Sequence, residues 1–141
     1  MELVGNDRYE GNMILRSTMP SNAYKYTMDF DYNSDFGDNF NGAGVFIQSS
    51  VGVSGKGVLI YISNSYNYGS PYSSSDVYVG ATINANGTFS GGSMVKSISN
   101  SGHLSISVMN GEITINGTQI PGTYEGTDWG FFTSQYSHGC Q

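Results

Sequence analysis

From Tyr24 to Tyr32 every second side chain is aromatic or a methionine, and the positions between are Lys25, Thr27, Asp29 and Asp31. Only an extended strand gathers such a row on one face, because successive strand side chains point to opposite sides. The pattern predicts a strand with Tyr24, Tyr26, Met28, Phe30 and Tyr32 turned inward. Asp29 and Asp31, about 7 Å apart along such a strand, read with Lys25 and Asn33 as an ordinary solvated face. The sharpest turn signal lies downstream, where residues 103–109 and 112–115 flank Asn110-Gly111. Asn-Gly supplies the two positive φ angles of a type I′ hairpin, and a second pair, Asn116-Gly117, turns the chain again towards Gln119 and Ile120. Leu104, Ile106 and Val108 on one arm, with Ile113 and Ile115 on the other, give the meander one buried face.

Residues 43–48, 57–62, 77–83 and 94–98 are short runs rich in Val, Ile, Tyr and Phe, each bounded by Gly, Ser or Asn, and read as further strands. No window carries a helical repeat. Pro20, Pro71 and Pro121 fall between candidate strands, where a missing amide hydrogen does no harm. The Ser-, Asn- and Tyr-rich stretch 63–75 reads as an exposed loop. With 11 Tyr, 7 Phe and one Trp among 20 Gly and many Ser and Asn, the chain has too many aromatics for a linker and the turn residues of an all-β protein. Eight or more short antiparallel strands in 141 residues predict one domain, spanning 1–141, built as a two-sheet sandwich or barrel.

Five Lys and Arg against eleven Asp and Glu, for a net charge of −6, argue against nucleic acid, which is held by clustered cations. No apolar run reaches the roughly 18 residues of a membrane span, so no membrane insertion is expected. The single cysteine, Cys140, rules out an intrachain disulfide and a cysteine-based zinc cluster. The first seven residues lack the basic start and apolar run of a secretory signal, whereas the lysine-poor, Tyr/Ser/Asn/Gly-rich composition suits a chain that works outside a cell. A virion protein released by lysis reconciles the two, as does a chain trimmed from an exported precursor; the expected location is extracellular or on a virion surface.

The succession of residues 42–48 (GAGVFIQ), 57–62 (GVLIYI), 104–108 with 113–117, and 126–132 (GTDWGFF) resembles the concanavalin A-like, laminin-G-type jelly roll over residues 13–135. The resemblance implies an antiparallel two-sheet jelly-roll sandwich whose concave face or rim loops bind glycans and sometimes calcium. Few residues follow the Trp129 strand, so a closing strand is missing, comes from another chain, or is the start of this one.

Glycosidases of that resemblance carry two glutamates and an aspartate on one strand face, for acid and nucleophile roles. Here Glu2, Glu10, Glu112 and Glu125 each stand alone. His103 reads as a rim residue, and His138 with Cys140 lacks an accompanying acid or oxyanion hole. The expectation is a protein that is not an enzyme. Residues 29–40 imitate the start of a calcium loop, but Ser34 replaces its required Gly and Phe40 its required Glu. Asp35, Asp38 and Asn39 still concentrate oxygen ligands suited to Ca²⁺, against the alternative of a solvated acidic loop.

Sugars present flat apolar faces edged with hydroxyls, so their sites combine exposed aromatic rings with hydrogen-bonding side chains. Tyr66, Tyr68 and Tyr72 in the polar stretch, and Tyr124, Trp129 and Tyr136 near the last strand, are the candidate ligand-binding residues. Sheet packing is the competing reading, and for Trp129 the stronger one. The sequons at Asn86 and Asn116 read as turns. Two functions follow: a non-catalytic module recognising a glycan or a cell-surface protein, or a structural decoration or fibre subunit assembling as a homo-oligomer or larger array. A glycosidase-like enzyme ranks third.

Overall fold

The computed structural model describes residues 12–20, 22–33, 41–67, 70–98 and 101–135. These hold ten strands and no helix: β1 Asn12–Thr18, β2 Lys25–Asn33, β3 Asn41–Ser49, β4 Gly57–Asn67, β5 Ser70–Ile83, β6 Phe89–Ser97, β7 Ser101–Met109, β8 Glu112–Ile115, β9 Thr118–Gln119 and β10 Asp128–Gln135. All pairings are antiparallel. One sheet has six strands in the order β1-β10-β3-β4-β5-β6, the other four in the order β2-β7-β8-β9. The all-β, two-sheet sandwich expected from the alternation is the observed architecture.

The interior between the sheets takes the apolar row of each strand. Val45, Ile47, Val58, Ile60 and Val77 from the six-stranded sheet meet Leu104, Ile106, Val108, Ile113 and Ile115 from the other, with Tyr26, Met28, Phe30 and Tyr32 packed against them. Tyr24 departs from the expected row: it precedes β2, its side chain is 65% exposed, and its carbonyl accepts from the Asn110 amide. The Asn110-Gly111 and Asn116-Gly117 pairs make the predicted turns, with φ of 49° and 79° at the first and 50° and 84° at the second.

The stretch 63–75 is a correction to the loop reading. β4 and β5 run through it as a hairpin in which Ser63 pairs with Ser74 and Asn67 with Ser70. Pro71 accordingly lies inside β5, opposite Tyr66 near the hairpin end. Low hydrophobicity hid these strands; a hairpin arm needs only ladder hydrogen bonds, which Ser, Asn and Tyr make as well as Val does.

The edge beyond β10 is filled by the start of the chain, β1, in a seven-residue ladder from Asn12↔Ser134 to Thr18↔Asp128. Buried Asp128 fastens it, accepting from Arg16 Nη2 (3.0 Å), Thr18 Oγ1 (3.1 Å) and the Val51 amide (2.8 Å).

The six-stranded sheet is apolar on its other face too. Phe46, Leu59, Ala81, Ile83 and Phe132 form a second buried cluster there, with Tyr61, Tyr78 and Phe89 against it. A register shift beside Gly80, whose φ is 78°, moves β5 from one cluster to the other: Val77 faces the first, Ala81 and Ile83 the second. Phe89 on β6 and Phe132 on β10 are four strand steps apart, about 19 Å in a flat sheet. Their ring centroids nevertheless lie 5.5 Å apart, with Tyr61 between β6 and β10 in contact with both. The sheet therefore curls around this face and seals it from water.

Candidate functional site

The four-stranded sheet has one apolar face and one wet face, and register arranges the wet side chains in rows across the strands. Thr27 lies opposite Ser107, Ser107 opposite Thr114, and Thr114 opposite Gln119. Four hydrogen-bonding side chains thus stand abreast on four strands, spaced about 5 Å apart. The adjacent row reads Lys25, Met109, Glu112. Together they line a shallow depression of about 270 Å³. Met109 is half exposed, so an apolar thioether lies between an ammonium and a carboxylate. Tyr24, an exposed aromatic, immediately precedes Lys25 at this end of the sheet.

At the other end of the face, His103 on β7 stands opposite Asp31 on β2. Its Nδ1 is 2.9 Å from Asp31 Oδ1 and its Nε2 is 3.1 Å from Asp29 Oδ1. The imidazole is held between two carboxylates, and its pKa is raised, first by the hydrogen bond to Asp31 and then by that to Asp29. The sequence placed His103 at a rim and the two aspartates on an ordinary wet face. Their meeting depends on the β2–β7 register, which no local motif announces.

Between the sheets a polar bridge supports the depression from below. β3 carries a bulge where Ile47 and Gln48 together oppose Trp129, and Gln48 there has φ 47°. A bulge re-aims the following side chain. Gln48 Oε1 accepts from the Tyr26 hydroxyl on the other sheet, and its Nε2 donates to the Tyr124 carbonyl at 2.7 Å. Burial pushes the Tyr26 phenol up to about 12 and raises that of Tyr124.

Among the described residues, those singled out in the sequence stand in different parts of the fold. Tyr124 is half-buried against the inter-sheet core, its amide donating to the Gly111 carbonyl at 2.9 Å and its hydroxyl to the Pro121 carbonyl. Trp129 is also half-buried there, edge-on to Phe131 with centroids 6.4 Å apart. Tyr66 and Tyr72 stand near the end of the β4–β5 hairpin, beyond the Asn41 end of β3, whereas Tyr124 meets the Gln48 end. Tyr68, Tyr136, Asp35, Asp38 and Asn39 lie outside the described residues. Among the described residues no group of three or more His, Cys, Asp or Glu is arranged to hold a metal ion, and no helix is long and apolar enough to cross a membrane. Asn86 and Asn116 both sit in turns: Asn86 Oδ1 accepts from the Thr88 amide and hydroxyl, and Asn116 Oδ1 from the Ser105 amide.

Comparison with protein-family models, curated proteins and solved structures finds no match.

Proposed function

We propose that the protein is a non-catalytic recognition module that presents the wet face of its four-stranded sheet to a glycan, on an extracellular or virion surface. The observation that carries the reading is the cross-strand row Thr27–Ser107–Thr114–Gln119 beside exposed Met109. Three hydroxyls and an amide at regular spacing offer donors and acceptors to a polyol, and the thioether offers an apolar patch to a sugar's C–H face. Mounting on a sheet holds them still, which lowers the ordering cost of binding. A concanavalin A-like jelly roll is the family reading that the two antiparallel sheets of six and four strands support.

The test is a glycan array read with the parent chain, with Thr27→Ala/Thr114→Ala, and with Tyr66→Ala/Tyr68→Ala. Loss of binding by tenfold or more in the first variant and retention in the second supports the sheet face. Loss in the second alone moves the site to the β4–β5 hairpin, and absence of any glycan signal overturns the glycan reading.

A structural subunit is the second reading, favoured by the strand edges. Among the described residues β6 pairs only with β5, and β2 only with β7; Ser90 to Met94 on β6 are exposed. Open edges accept a neighbouring strand. A stable trimer or polymer by light scattering, without glycan binding, selects this reading.

A further inference from the structure

We propose that His103 is a proton-operated clasp between strands β2 and β7. The basis is geometric. Both ring nitrogens face carboxylate oxygens, Nδ1 towards Asp31 at 2.9 Å and Nε2 towards Asp29 at 3.1 Å. A carboxylate can only accept, and a neutral imidazole has one N–H and one bare nitrogen lone pair. Only the imidazolium satisfies both contacts; on deprotonation one nitrogen turns its lone pair towards a carboxylate, and that contact becomes repulsive.

The setting isolates the effect. β2 has β7 as its ladder partner, and β8 ends at Ile115, opposite Ile106, short of His103. The charged groups facing the ring among the described residues are therefore Asp29 and Asp31 from β2. Lys25 and Glu112 lie on the same face three rows away, beside Met109. The clasp ties β2, which ends the sheet among the described residues, to β7 while the proton is bound. When the proton leaves, the face loses one positive charge and β2 loses a cross-strand tie. The raised pKa has the sign that this geometry demands. A raised value means that the stabilisation is complete below about 6.5, the unfolded value, and is lost as pH rises through the folded one.

For recognition, the clasp would make this face less repulsive to an anionic ligand in acid; that consequence rests on the function proposed above, whereas the clasp does not. The experiment is an NMR pH titration of His103 Cε1–H and both ring nitrogens, in the full chain and in D29N and D31N, with His103→Gln to assign the signal. The expected result is a midpoint above 6.5, both ring nitrogens protonated below it, and a midpoint shifted towards 6.5 in each aspartate variant. Circular dichroism verifies that the variants fold. A midpoint at or below 6.5, or one that neither variant moves, overturns the clasp. A blank glycan array leaves this titration unaffected, so the two proposals fail separately.

Discussion

Gln48 shows how one residue joins two sheets. Its φ of 47° is costly for a residue with a Cβ, about 1 kcal/mol or more. That cost is offset by the bonds its amide makes to Tyr26 and Tyr124. Gln48→Ala keeps the strain and removes both bonds, so it should destabilise the fold by about 2 kcal/mol in chemical denaturation. Gln48→Gly removes the bonds but relieves the strain, and should recover about 1 kcal/mol of that loss. Equal losses would mean that the backbone there is relaxed and the bulge has another cause. Gln48 was legible only as the end of the 42–48 segment, because a glutamine beside a strand end carries no local sign of its partners; its bridging role comes from a bulge and from a hydroxyl on the opposite sheet.

At the scale of the element, the hairpins turned by Asn110-Gly111 and Asn116-Gly117 look alike in sequence and differ in surroundings. Gly111 and Gly117 both have positive φ, but a Cβ on Gly111 would lie 2.8 Å from the Tyr124 carbonyl oxygen, whereas one on Gly117 meets nothing within 4 Å. Gly117→Ala should cost about 1 kcal/mol, for backbone strain alone. Gly111→Ala should cost about 2–3 kcal/mol, since the loop at Tyr124 must also move; equal costs in urea melts would deny that this loop is fixed. These hairpins were legible because their turn chemistry and their apolar alternation agree, as do the β2 and β7 rows. The β4–β5 extension was not, because residues 63–75 lack both apolar periodicity and turn-free composition. Strand β1 was also missed as an element of its own: its partner is β10, more than a hundred residues away, and its sequence, NMILRST, has no strict alternation.

For the molecule as a whole, the unanticipated feature is the second apolar cluster on the far face of the six-stranded sheet. Its signal was present in Val58-Leu59-Ile60-Tyr61-Ile62, a run without alternation, as expected of a strand buried on both faces. Phe132 seats in this cluster against Gly44, where any Cβ would strike its ring. Phe132→Ala should therefore cost about 3–5 kcal/mol, as much as a deletion in the inter-sheet core; a loss near 1 kcal/mol would mean that the curl is dispensable. With the six-stranded sheet buried on both faces, the smaller sheet is the one that shows a wet face among the described residues. The candidate site was legible only in its parts: Lys25, Thr27, Asp29, Ser107 and Thr114 were each readable as outward, but their alignment in rows depends on register between strands some eighty residues apart. The most direct measurement is amide chemical-shift mapping of the full chain titrated with a glycan selected by the array. The expected perturbations concentrate on Lys25, Thr27, Ser107, Met109, Thr114 and Gln119, with the β4–β5 hairpin unchanged; shifts confined to that hairpin, or to the β10 strand around Trp129, would contradict recognition by the sheet face.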